Sequence, residues 1–283
     1  MRHPRLLPAI ALLLLFSCKQ NTDTPPEALT EHMVLVEATD SAVENEIADS
    51  ASVPEAALVL DTTDLSPEPD TPLKLLLEGS FHKQEVWAGA DKKQWLGLFK
   101  EDGKYILRPT LIQVNIVEDP VTDSAGILSG REVVAADSNA IFLLTGLQPG
   151  KAGAVDTAVF ATAILPANKE LLYTFKGREY RISSYGDSTQ AATGEYAYQN
   201  YGWKVSGTRN GKEIEQTLAE DEGFTESIYV LLWAGDLDQD GIPDLLIDLS
   251  NHYNVSSYTL FLSSKADRGK LYKKVAVFET TGC

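Results

Sequence analysis

Histidine and cysteine are scarce in this chain, four and two among 283 residues. None of the short motifs that name a reaction is present: H-E-x-x-H, G-x-S-x-G, G-x-x-x-x-G-K-[ST] and G-x-G-x-x-G are all missing. Basic charge is also in deficit, with 24 Lys and Arg against 41 Asp and Glu and a formal net charge of -17. A chain so acidic has no cationic face with which to neutralise phosphates, so a nucleic-acid partner is excluded. No helical stripe of 3.6-residue period runs through it and no internal repeat is visible, which argues against bundles, solenoids and propellers. No apolar run approaches the roughly 20 residues that a membrane-spanning helix needs.

What is present begins at the N-terminus. A basic start (MRHPR) leads into an apolar segment of eleven residues, 6–16, and then Ser17 and Cys18. That order is a secretory signal, too short to span a bilayer. Residues 15–18, Leu-Phe-Ser-Cys, resemble the bacterial lipoprotein box, with leucine three residues before the cysteine and a small residue directly before it; Phe16 departs from the pattern. The resemblance implies removal of residues 1–17 and acylation of Cys18. Two or more acyl chains give stable membrane anchoring where one gives marginal binding. Lys19 stands where inner-membrane lipoproteins often carry aspartate, so the expected location is the outer membrane, periplasmic or surface-facing. An ordinary secreted protein cut near Ser17 is the alternative. With Cys18 acylated, Cys283 has no partner within the chain and is read as an exposed terminal thiol or an intermolecular one.

Residues 18–72 read as a disordered acidic tether behind the lipidated cysteine. Residues 19–72 contain thirteen Asp or Glu, one Lys and no aromatic residue. Such a segment buries too little apolar surface to offset its conformational entropy. As a flexible coil it reaches roughly 40 Å, further if its carboxylates repel. Triplets at 40–42, 49–51 and 61–63 resemble the O-glycosylation acceptor of Bacteroidota, a short pattern that an acidic Ser/Thr-rich stretch also produces by chance.

From residue 73 aromatics appear and strand signals dominate: 104–117, 131–137, 140–146, 158–165, 229–234 and 257–264. Two hairpins are expected, turning at Lys176-Gly177 and at Asn210-Gly211, pairs that accept positive backbone angles. The fold class expected for 73–283 is therefore mainly β, a β-rich domain with several antiparallel hairpins, either as one body or as two lobes meeting near 185–200.

The densest chemistry is at 234–248, AGDLDQDGIPDLLID, with carboxylates at Asp236, Asp238, Asp240 and Asp244 within nine positions. Calcium takes six to eight oxygens, and a D-x-D-x-D-G run offers three alternate carboxylates with a glycine at the sharp turn. The backbone carbonyl of Ile242 stands at the seventh position and the Asp244 carboxylate at the ninth. An EF-hand needs Glu at the twelfth, where Ile247 stands, so this is not one. Carboxylates about 5 Å apart repel by roughly 0.8 kcal/mol per pair even in water, which favours a bound cation over a bare acidic turn. The stretch resembles the calcium loop of FG-GAP and VCBS-type repeats of integrin-like propellers, flanked by strands on both sides. The resemblance covers about residues 229–263, occurs once, and implies ligands at Asp236, Asp238, Asp240 and Asp244; a propeller repeats its blade, so none is inferred.

Beyond the loop, alternation sends Leu245, Ile247 and Leu249 to one face, expected to be core, and Asp244, Leu246 and Asp248 to the other. His252, Tyr253 and Asn254 are candidates to line a ligand site beside the ion, against the plainer reading of a satisfied loop histidine. Asp248, His252 and Ser256 or Ser257 have the residue types of a triad, which spacing alone does not establish. Aromatic clusters at 87–99 and 196–203 either cover the core or bind a glycan or envelope protein; Tyr196 and Tyr198, on one strand face, are the binding candidates and Trp203 is expected in the core. The function expected is a lipid-anchored envelope protein displaying a calcium-stabilised β domain for binding or structural work. A glycan hydrolase with a structural calcium is the alternative, although no catalytic motif is present.

Overall fold

A computed structural model describes residues 59–61, 65–137, 139–147, 152–190, 196–224 and 226–282, with backbone alone at Tyr196. The export signal, Cys18, the glycosylation triplets at 40–42 and 49–51, most of the expected tether and Cys283 lie outside the described residues. The fold is mainly β: eighteen strands and a single 3-10 turn at Ala90–Lys92 among the described residues. No helix there is long and apolar enough to cross a membrane.

Four sheets carry most of the structure. The first has five strands in the order β10-β5-β4-β9-β2: Gly153–Val155, Lys104–Thr110, Trp95–Glu101, Phe142–Thr145 and Lys74–Leu76. Beside it in sequence lies a three-stranded sheet, β3 (Gly79–Phe81), β8 (Gly130–Ala135) and β6 (Ile112–Val117). The single strand signal at 104–117 is thus two strands in two sheets, broken at the exposed Leu111. A four-stranded meander follows, β11 (Glu170–Phe175), β12 (Arg178–Gln190), β13 (Tyr196–Arg209) and β14 (Lys212–Gly223). The last is also a meander, β15 (Val230–Gly235), β16 (Asp244–Asp248), β17 (Val255–Leu262) and β18 (Lys273–Thr281).

Both expected hairpins form. Lys176 and Gly177 have φ of 46° and 74°, and Asn210 and Gly211 have 52° and 71°. Positive angles at both central residues match the twist of the flanking strands, which fixes the β11–β12 and β13–β14 registers. Because β12 and β13 pair from Tyr180 to Gln190, the described residues of 185–200 belong to one sheet rather than to two lobes.

The β15–β18 sheet is covered on both faces. Trp233, Leu246, Leu260, Leu262 and Phe278 pack with Leu75, Leu98 and Phe142 of the first sheet in one core. Leu231, Ala234, Leu245, Ile247 and Phe261 pack with Tyr173, Tyr180, Ile182 and Trp203 of the β11–β14 meander in a second. This corrects the expectation that one face of β16 is core and the other is not: Leu246 is as buried as Leu245. Each such side chain contributes about 1.5–3 kcal/mol on burial, so a charge at Leu246 or Ile247 would break one core or the other.

Two further expectations need correcting. The run 158–165 is not a strand; it lies along β15 through isolated bridges, Thr157 to Gly235 and Ile164 to Val230, with Val159 87% exposed. Residues before 73 also take part in the fold. Val59–Leu60 forms β1, paired in parallel with β7 (Ile127–Leu128), and Asp61 is held by Lys83 at 2.6 Å and, through its carbonyl, by the buried Arg131 at 2.8 Å. These polar bonds let a segment with few apolar residues dock where hydrophobic burial would not suffice.

Candidate metal centre

The aspartate loop joins β15 to β16, at one end of the twice-covered sheet. Its start is fixed by Gly235, where a Cβ would lie 2.5 Å from the Trp233 ring and 2.7 Å from the Asp156 carbonyl. Only glycine lets the 156–157 segment approach so closely, and Asp236 N then donates to Asp156 O at 2.9 Å. Further on, Gln239 and Gly241 take φ of 59° and 86°, turning the loop back toward Asp244.

Asp236, Asp238 and Asp244 each offer a carboxylate oxygen, all within 4.8 Å of one another, and all three residues are at most 5% exposed. The loop organises itself around them. Asp236 accepts from the amides of Asp240 (2.9 Å) and Gly241 (3.0 Å), and Asp244 accepts from Leu237 (2.9 Å) and Ser263 (2.8 Å). Asp238 accepts from the Ser264 hydroxyl. Asp240 turns aside: its carboxylate is bonded to Ile242 N and to Ser263 Oγ and is not one of the trio. Ile242 has a buried side chain and donates its amide to Asp240.

Burial pushes the Asp244 carboxyl well above the usual range, the neighbouring Asp238 charge adds to this, and the two amides only partly offset it. One cation already faces the trio. Lys176, at the tip of the β11–β12 hairpin, places Nζ 2.8 Å from Asp236 Oδ2 and 2.9 Å from Asp156 Oδ2. Its pKa is raised chiefly by the bond to Asp236, with burial opposing. The cluster is therefore a set of hard oxygen donors, three carboxylates against one ammonium. That donor set fits a hard divalent cation, and a cleft of about 600 Å³ lined by Asp238, Asp240, Ser264 and Lys265 opens beside it.

The other sequence candidates lie elsewhere. Asp248 is at the opposite end of β16 from Asp244, roughly 14 Å along the strand, and His252, Tyr253 and Asn254 form the turn after it. They do not sit beside the acidic trio. His252 stacks on the exposed Tyr253 at 4.6 Å, and its Nδ1 accepts from Asn254 N. Asp248 is bonded to the amides of Ser250 and Ser257, which leaves the imagined triad unassembled. Tyr198 is buried against Tyr201 at 5.3 Å, within a cluster that includes Trp203, Phe224 and Tyr229; it is a core residue rather than a binding one. Trp87, Trp95 and Phe99 are buried as well.

Sequence reading passed over Lys176 except as a turn residue, and passed over the contact of His82 Nδ1 with Asp119 Oδ2 at 2.5 Å. Thirty-seven residues separate the latter pair, so no local pattern announces it.

No protein family, curated protein or solved structure matches the chain.

Proposed function

We propose that this protein is a cell-envelope lipoprotein, anchored through acylated Cys18 in the outer membrane, whose β domain is stabilised by calcium at the 236–244 loop and serves binding or structural work. The observation that carries the calcium reading is the burial of the Asp236, Asp238 and Asp244 carboxylates within 4.8 Å of one another. Three such groups repel, and a hard divalent cation offsets that repulsion with the oxygen ligands it prefers. Asp236, Asp238 and Asp244 would hold the ion, with Asp240 turning toward it from Ser263. Its contribution is electrostatic and structural: it closes the β15–β16 connection between the two cores. The N-terminal signal and the lipoprotein box support the anchor; burial of most of the aromatic residues supports a framework role over glycan stacking.

Calorimetric titration of the purified protein with calcium, alongside thermal melts, tests the reading. Extracellular calcium modules bind with dissociation constants of about 0.1–1 mM. At roughly 1 mM free calcium the linkage is then about 0.4–1.4 kcal/mol, and the melting temperature rises by a few degrees for a domain of this size. Asp238→Ala abolishes the response. Absence of both binding heat and a melting shift in the wild type at millimolar calcium sinks the proposal.

A further inference from the structure

The three-stranded sheet has an inner face that is apolar with one exception. On β6, Ile112, Val114 and Ile116 share that face, and their partners across the ladder on β8 are Ala135, Val133 and Arg131. Arg131 is thus set among aliphatic side chains and is only 2% exposed. The segment before β4, with its 3-10 turn at Ala90–Lys92, packs over this face and is tied down by the Ala88 N to Ser66 O bond of 3.1 Å. Between sheet and cover lies a pocket of about 180 Å³, lined by Val86, Trp87 and Ala90 from the cover and by Val114, Ile116 and Arg131 from the sheet.

Two buried donors at this pocket are left without a matching acceptor. Trp95, whose ring lies 5.8 Å from that of Trp87, donates its indole N–H to Ala90 O at 2.8 Å. The Trp87 indole N–H is buried and has no acceptor among the described residues. Arg131 Nη1 donates to the carbonyls of Ser129 (2.5 Å) and Gly130 (2.9 Å), and Nη2 donates to that of Asp61 (2.8 Å). These carbonyls hold the guanidinium in place but carry no charge. The carboxylates of Asp61 and Asp123 act on it only through space, because Asp61 is 2.6 Å from Lys83 and Asp123 accepts from the Ser129 hydroxyl and amide. Among the described residues the guanidinium therefore has no ion pair of its own.

Buried N–H groups are as a rule hydrogen-bonded and buried cations paired. We propose that the pocket binds a small monocarboxylate with a hydrocarbon body: its carboxylate accepts from the Trp87 indole N–H and offsets the Arg131 charge, and its hydrocarbon lies on Val114 and Ile116. Size supports this class. A dry cavity of about 150 Å³ accommodates benzene, whereas drug-sized ligands take about 300–1,000 Å³, so benzoate or a short-chain fatty acid matches the volume here. Water filling the same space would leave most of its hydrogen bonds unmade against the apolar walls. Asp91 also lines the pocket, but it is exposed, and solvent and salt screen its charge. None of the residues of the 236–244 loop takes part, so the inference does not rest on calcium.

Titration of the isotope-labelled full-length protein with sodium benzoate, followed by NMR of the four tryptophan indole N–H signals, tests the proposal, and Trp87→Phe identifies the signal of residue 87. That signal should move downfield and saturate at millimolar benzoate, while the Trp203 signal, from the other core, stays in place. Benzamide, which has the shape without the charge, and acetate, which has the charge without the ring, should each bind about tenfold more weakly. Trp87→Phe keeps the ring against Trp95 and loses the donor, so calorimetric affinity for benzoate should fall about three- to tenfold. Arg131→Met should abolish binding. Val114→Phe fills the pocket and keeps both donors; it should abolish binding too, and it decides the matter if Arg131→Met folds poorly. A Trp87 signal that benzoate leaves in place shows that the pocket holds water only. That result, equal binding of benzamide, or undiminished binding in Val114→Phe overturns the proposal.

Discussion

Lys176 Nζ lies 2.8 Å from Asp236 Oδ2, so an ammonium from one meander reaches the buried carboxylate of the next. The lysine occupies a hairpin turn position of positive φ, and its ammonium is held there by Asp236 and Asp156. It is a tethered counter-charge to Asp236, and against the proposed divalent ion it would be a competitor.

Replacing it should therefore have opposite effects in the two states. Lys176→Met should lower the melting temperature in chelator by about 2–4 °C, because Asp236 is left buried without its ammonium. Calcium should bind the variant several-fold more tightly and produce a larger melting gain than in the wild type. An unaltered calorimetric affinity would show that the lysine and the ion do not share the site.

Gly235 offers a second test, this time of backbone approach. Any Cβ there meets the Trp233 ring and the Asp156 carbonyl at under 3 Å, so Gly235→Val should cost about 1–3 kcal/mol as an overpacked site. Denaturant melts measure that loss, and the displaced Asp236 should also blunt the calcium response.

Acid stability should report Asp119. Burial pushes this carboxyl up, but the bonds from His82, Thr122 and Val121 outweigh it and hold the group at about 2, below its ordinary 3.8. A depressed folded-state value means that the stability is present above pH 3.8 and is lost as pH falls toward 2, an effect on the order of 2 kcal/mol. His82, with its value raised, works in the other direction: its contribution is full below 6.5 and fades as pH rises through the shifted value. Stability should accordingly have a plateau between about pH 4 and 6.5, and Asp119→Asn should flatten both shoulders in urea titrations.

The anchor is tested separately from the domain. Labelled fatty acid should enter the wild-type protein in a bacterial host that processes lipoproteins, and Cys18→Ala should abolish the label. Unchanged labelling of the variant would remove Cys18 from the account.

Much of the fold was legible because it depends on local rules. Lys176-Gly177 and Asn210-Gly211 mark hairpins by backbone angle alone, and Asp102-Gly103, with φ of 47° and 78°, carries the same signal for β4–β5. Runs of apolar residues were less reliable. The stretch 158–165 has strand-like composition but rests at the edge of β15, since strand preference depends on what a face packs against. Leu246 was misplaced for a related reason: alternation assigns residues to faces but does not say how many faces are covered. In the aspartate loop, spacing pointed to four carboxylates, Asp236, Asp238, Asp240 and Asp244, yet it could not show that only three of them converge, that Asp240 turns to Ser263 or that Lys176 arrives from another sheet. His82 with Asp119, and Tyr198 with Tyr201, are tertiary pairings whose partners no local pattern names.

The β1–β7 pairing has a mechanical consequence. It is two residues long and parallel, and it is backed by the Asp61 amide to Leu128, the Lys83 ion pair and the Arg131 bond to Asp61. Among the described residues, a pull from the N-terminal side of Val59 meets this strap before it meets the strands of the four larger sheets. A two-residue ladder is expected to part before those longer ladders do. It behaves as a fuse between the pulled chain and the domain, and because its partners remain in place on β7, β8 and the segment after β3, it can re-form once the tension drops.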